Sequence, residues 1–351
     1  MLRNLVFIVS ALLQTAGGTA LATDTSPLPP PVYTVSRSFP VAGDGGWDYL
    51  ALEASGARLF VSRGDRVDVI ETVSGKLAGT IPHTAGVHGI AFAPALKRGF
   101  TSNGRSDTLS VFELDTLHVI REVAVSGKKP DAILYEPRHN HIFTANGDSS
   151  DLSVIDAQTL QLVATIALPG PPEFMVTDGA GMVYVNIETE SGKLAAVDAG
   201  TLALKATWPL SACARPTGLA MDPMHRRLFS VCENQVMAVT DSVSGKQVAR
   251  VVIGRGSDAA AFDSETGLVF SANGLDGTLT VIREEAPDDY KVLATVTTQV
   301  SARTMALDPV THKIFLAAAK LAAAPPASEE QPRPGPGIVP NSFNILIAQP
   351  K

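Results

Sequence analysis

The chain has 351 residues, with 28 Lys and Arg against 35 Asp and Glu, for a net charge of −7. It is 45% hydrophobic and 18% charged, which excludes a disordered polyelectrolyte. The acidic balance, with no basic run, argues against a nucleic-acid binder, whose affinity rests on Lys and Arg at phosphates.

Residues 1–22 read as a secretory signal. Arg3 supplies a positive n-region, residues 5–13 a short apolar core, and Ala20-Leu21-Ala22 a small-residue cleavage site. The apolar run is too short to span a bilayer, and no later stretch is long and apolar enough to do so. No cysteine follows the cleavage site, which argues against a lipid anchor. Residues 23–31 form a Pro-rich linker. The expectation is a periplasmic or secreted monomer cleaved after Ala22.

From there to the C-terminus one unit recurs. A short strand carries an aromatic anchor at Phe60, Phe100, Phe143, Tyr184, Phe229, Phe270 and Phe315, with spacings of 40, 43, 41, 45, 41 and 45 residues. That period belongs to propeller blades rather than to leucine-rich or ankyrin repeats. An apolar strand precedes each anchor strand. An alternating strand, a tight turn and a fourth strand follow it, as in Leu152 to Asp156 and Gln161 to Ile166. Residues 32–349 therefore form an all-β, seven-bladed propeller. The seventh unit has a third strand at residues 342–347 and then ends. Residues 32–41 have fourth-strand character and no blade of their own, so they complete the last blade.

Phe100-Thr101-Ser102-Asn103, Phe143-Thr144-Ala145-Asn146 and Phe270-Ser271-Ala272-Asn273 resemble the Tyr-Val-Thr-Asn signature of YVTN-repeat (YncE-like) β-propellers. The other units depart from it, with Arg63, Ile187, Cys232 and Ala318 at the Asn position. The resemblance implies a bacterial exported seven-bladed propeller. It implies no single reaction, because propellers host unrelated activities.

Stepping back 12 residues from each anchor, 11 in the fourth unit, reaches Asp48, His88, Asp131, Glu173, Thr217, Asp258 and Arg303. All seven are polar, and each opens an apolar innermost strand. A constant register places them in one ring at one mouth of the central channel. Such a ring serves either to solvate the rim or to hold a ligand. Carboxylates brought close together raise one another's pKa unless a cation or an Arg compensates. Arg303 offsets part of that charge and could hold an anionic group. A divalent cation such as Ca²⁺ on Asp48, Asp131, Glu173 and Asp258 would offset more, and His88 extends the choice to transition metals. Trp47 beside the ring could stack on a ligand. The expected partner at the mouth is a small molecule, a metal ion or a protein. The alternative is a metal-assisted hydrolase, lactonase or lyase using His88 and the ring carboxylates as acid and base.

The turn after each anchor strand lies on the same face, offering Arg63, Asn103, Arg105, Asn146, Asp148, Asn186, Glu233 and Asn273. The Asn-Gly pairs there read as turn geometry, since Asn tolerates left-handed conformations. An Ala/Pro-rich insertion, residues 319–341, occupies this turn in the last blade, either as a tether or folded over the mouth. Cys213 and Cys232 fall in connections on one face and read as a disulfide in an exported chain. His83, His118, His225 and His312 read as surface or turn residues. Gly254 to Ala259 matches GxGxxA, but no helix follows, so a dinucleotide reading fails.

Overall fold

A computed structural model describes residues 32–43, 45–324 and 336–351. The expected signal and linker, and the centre of the expected insertion, lie outside these residues. The described chain forms seven four-stranded antiparallel sheets, each with its strands in chain order from the innermost outward. Blade 1 runs from Leu50–Leu52 to Leu77–Ile81, and blade 6 from Ser257–Asp263 to Asp289–Thr297. Blade 7 breaks the order: its outer strand is the N-terminal Tyr33–Pro40, paired with the C-terminal Asn344–Pro350. The third strand thus starts two residues later than the alternation implied and runs to Pro350. Tyr33 pairs with Pro350 and Phe39 with Ile345. The N-terminal and C-terminal strands are locked into one sheet, which closes the ring and leaves only the outer strands as edges.

Seven clusters of buried side chains fill the seven gaps between successive blades. Strand alternation explains how one strand serves two gaps. In Leu268–Asn273, Leu268, Phe270 and Ala272 pack toward blade 7, while Val269 packs toward blade 5. Middle strands are buried on both faces and read as near-continuous apolar runs. Outer strands such as Val119–Ala124 stay largely exposed. Of the aromatic anchors, Phe60, Phe100, Phe143, Phe229, Phe270 and Phe315 are fully buried and Tyr184 nearly so. Each such burial contributes about 1.5–3 kcal/mol. Their regular spacing is the sequence trace of that packing.

The innermost strands crowd round the axis. A Cβ on Gly89 would lie 2.8 Å from the Ile133 backbone nitrogen, and one on Gly218 2.6 Å from Ala259 Cα. Only glycine fits where blade backbones approach this closely. Cys213 and Cys232 form a disulfide with Cα atoms 5.4 Å apart. No helix among the described residues is long and apolar enough to cross a membrane.

Candidate functional site

The inner strands of blades 2 to 6 share an irregularity that sets the site. Their second residues are His88, Asp131, Glu173, Thr217 and Asp258. At that residue the pairing with the next strand slips: Val87 faces Asn103, whereas Ile90 faces Thr101. Equivalent slips follow Pro130, Pro172, Pro216 and Ser257. A bulge lifts one residue out of the ladder and re-aims its side chain. Pro130, Pro172 and Pro216 sit at the first strand position, where a missing N–H does least harm. Asp48 and Arg303 hold the matching places just ahead of their inner strands in blades 1 and 7.

Contacts run round this register. His88 Nδ1 donates to Asp48 Oδ2 at 2.5 Å and lies 3.7 Å from Asp131 Oδ1. Arg303 Nε donates to Asp258 Oδ2 at 2.7 Å, and its guanidinium reaches Asp48 Oδ1 at 3.3 Å. The ligand atoms of Asp48, His88 and Asp131 all lie within 4.8 Å of one another. Glu173 and Asp258, the other two acids of the expected metal set, do not join this cluster. Asp258 is held by Arg303, and Glu173 lines a cavity of about 40 Å³ with Tyr49, Phe174 and Thr304. That space suits one or two waters. Thr217 turns away and donates to the Ser257 carbonyl at 2.9 Å.

Charge is unequally borne. Burial, then the neighbouring acids Asp131 and Asp258, push Glu173 up to about 9. Burial raises Asp131 to about 6 against the opposing pull of His88, and Asp258 likewise to about 6 against Arg303. Burial disfavours the His88 cation, but the hydrogen bond to Asp48 and the charges of Asp131 and Asp48 outweigh it, so its pKa is raised. At neutral pH Glu173 carries its proton.

Residues just after the ring positions are mostly small: Gly89, Ala132, Gly218, Ala259 and Thr304. Tyr49 and Phe174 are the exceptions. They stack across the axis, with centroids 5.5 Å apart and planes 13° from parallel. The pair narrows the channel beneath the ring and gives the mouth a floor. The Tyr49 hydroxyl also hydrogen-bonds Asp131. Tyr49 lies outside the ring register of the sequence. Its signal was a large aromatic where neighbouring units carry Gly or Ala.

Above this floor a cavity of about 700 Å³ is bounded by Trp47, Asp48, His88, Lys128, Lys129 and Arg303. A side lobe of about 380 Å³ is lined by Trp47, Leu275, Leu321, Pro336 and Ile338. Its wall is the stem of the insertion, where Leu321 bridges Ile338 and Ala322 N donates to the Gly337 carbonyl at 2.8 Å. Residues 325–335 lie outside the described chain. Trp47 is 8% exposed and packs on Phe343 at 5.4 Å, so it forms wall rather than a free stacking platform.

The turn residues divide. Arg105, Asp148 and Glu233 are exposed at the rim. Arg63 is buried, with its guanidinium 3.7 Å from the Phe343 ring centroid. The Asn-Gly reading is corrected: Asn103, Asn146 and Asn273 are buried strand ends without positive φ. Asn273 Nδ2 donates to Thr278 Oγ1 at 3.1 Å and Thr280 Oγ1 at 2.9 Å, and its Oδ1 accepts from Ser271. These amides tie the second strand to the third, because buried amide groups require partners.

No protein-family model matches the chain, and no curated protein matches it significantly. Solved structures do resemble it. A chain of Kuenenia stuttgartiensis hydrazine synthase superposes with a TM-score of 0.70 at 15% identity, over 79% of this chain and 94% of that one. The U3-55K structure gives 0.73 at 10% identity, over 90% and 98%. The RRP9 WD40 repeats give 0.73 at 10% identity, over 92% and 99%. At such identity the likeness establishes the β-propeller class and nothing narrower.

Proposed function

We propose that this chain is an exported binding module, related to the YVTN-repeat propellers, that holds a divalent cation and a small ligand in the funnel. The observation that carries this reading is the Asp48–His88–Asp131 cluster. Three blades deliver two carboxylates and an imidazole to the base of an open cavity. Such a set neutralises repelling acids when a metal enters and leaves positions free for a ligand. His88 favours a first-row ion such as Zn²⁺ over Ca²⁺, which prefers oxygen alone. Entry displaces the proton between His88 and Asp48 and widens that contact. Lys128, Lys129 and Arg303 on the wall suit an anionic ligand group. The disulfide supports export, since such bonds persist in oxidising compartments.

The test is Zn²⁺ and Ca²⁺ titration by calorimetry, with elemental analysis of the purified protein. Affinity at this site falls about tenfold or more in His88→Ala and Asp131→Asn. Unchanged titrations in both variants would sink the reading.

A second reading is metal-assisted hydrolase, lactonase or lyase chemistry. The Asp131 carboxyl, raised to about 6 beside His88, favours it, because a general acid or base works best with a pKa near the operating pH. Ester or lactone turnover lost in Asp131→Asn would establish it. No turnover across a lactone and ester panel with the metal-loaded protein would leave the binding module.

A further inference from the structure

The inner strands end, on the face opposite the funnel, in acid-capped turns. Glu136, Asp222, Asp263 and Asp308 each accept backbone N–H groups two residues on. This is a turn device, and in blade 3 it also carries a histidine: His139 Nδ1 lies 3.0 Å from Glu136 Oε2. In blade 5 His225 sits likewise on Asp222, at 2.7 Å. Here an additional group arrives. The third strand of blade 6, Thr278–Ala286, has nine residues where its counterparts in blades 2 to 5 have six. The extension brings Glu284 Oε2 to 3.5 Å from His225 Nδ1.

Turn capping explains Asp222 but not Glu284. The side chains of Asp222 and Glu284 are only 1% and 4% exposed. Among the described residues neither has a Lys or Arg partner within 4.0 Å; the nitrogen group beside them is the His225 imidazole. Burying two acids together is costly unless a cation compensates. Glu284 Oε1 is fixed by the Tyr290 hydroxyl at 3.0 Å, which orients Oε2 toward His225. The ligand atoms of all three residues lie within 4.8 Å of one another. His225 is 42% exposed, so solvent reaches the cluster from one side.

We infer that Asp222, His225 and Glu284 form a second divalent-metal site, which clamps blade 5 to blade 6 on the face opposite the funnel. Two carboxylates and one imidazole suit Zn²⁺ or Co²⁺, with water completing the shell. The ion neutralises the two buried carboxylates and takes the His225 Nδ1 lone pair in place of that nitrogen's 2.7 Å contact with Asp222. Because its ligands come from two blades, binding couples to the stability of the ring.

The experiment is Zn²⁺ calorimetry and thermal melting of the mature protein in a His88→Ala background, which removes the funnel cluster. One Zn²⁺ site and a rise in melting temperature persist there. Both disappear on adding His225→Ala, and Glu284→Gln weakens the site about tenfold or more. His139→Ala leaves them unchanged, since no second acid completes a cluster around that histidine among the described residues. His225 is on the surface, so its loss leaves the near-ultraviolet circular dichroism intact. Zn²⁺ binding in the His88→Ala background that survives both His225→Ala and Glu284→Gln overturns the inference, as does no binding in that background. The funnel reading is judged separately, by the difference between wild type and His88→Ala.

Discussion

Arg303 and Asp48 are 255 residues apart in the chain, yet the guanidinium of one lies 3.3 Å from the carboxylate of the other. The contact joins blade 7 to blade 1 across the closure of the ring. Arg303 also binds Asp258, so one cation serves two acids from either side. Arg303→Gln removes it. The Asp258 titration, now near 6, then rises by about one pH unit or more. Carbon-13 NMR of the carboxyl groups reads this directly, and an unmoved titration would show that Arg303 does not set it.

Stability should depend on pH with a definite sign. Folding raises the pKa of Asp131 and Asp258 to about 6 and of Glu173 to about 9, and raises His88 as well. The folded state therefore binds more protons than the unfolded state across this window. The resulting stabilisation is complete below the ordinary carboxylate range and is lost as pH climbs through these values. The metal-free protein melts at progressively lower temperature from about pH 5 to about pH 9. Glu173→Gln flattens the upper half of that curve and raises the midpoint near pH 9 by about 2 °C or more. A flat wild-type profile would contradict the assignment.

Closure of the ring by the N-terminal strand has an energetic signature. Phe39 is 7% exposed and packs with Trp47, Phe315 and Phe343 in the gap between blades 7 and 1. Phe39→Ala costs about 3–5 kcal/mol in urea unfolding, the range for a buried phenylalanine. A loss below about 1 kcal/mol would mean that the strand is dispensable.

The Cys213–Cys232 bond closes a loop across the entry to blade 5, with a sequence separation of 19. Loop-closure entropy assigns it about 3 kcal/mol. Replacing both cysteines by serine should lower the unfolding free energy by about that amount. Dithiothreitol should do the same to the wild type and nothing further to the variant.

Much of this was legible in one dimension. The anchors Phe60 to Phe315 recur because every blade must bury an aromatic between its neighbours. The ring register was legible because the offset from anchor to inner strand is fixed by two strands and a turn. The Tyr49–Phe174 stack was not, since nothing in the sequence says which two inner strands meet across the axis. The Asn residues misled for a related reason. Asn-Gly is a turn signal locally, but a blade presents Thr and Ser hydroxyls that capture the amide in the strand. His225 read as a surface residue, and its half-exposed ring agrees. The two buried acids beside it come from an adjacent turn position and from a strand of the next blade.

The charge of −7 spread over 351 residues is slight, and the sequence placed six ionisable groups of it on one ring by register alone. Periodicity determined the number of blades and the closing strand, because these follow from spacings of side chains that must be buried, and it put the two cysteines in connections on one face. Only the tertiary structure decided which acids carry protons, which one Arg303 holds, and where histidine meets two carboxylates. Those outcomes depend on through-space distances of a few ångströms between blades. The linear order of the chain does not encode such distances until the ring is closed.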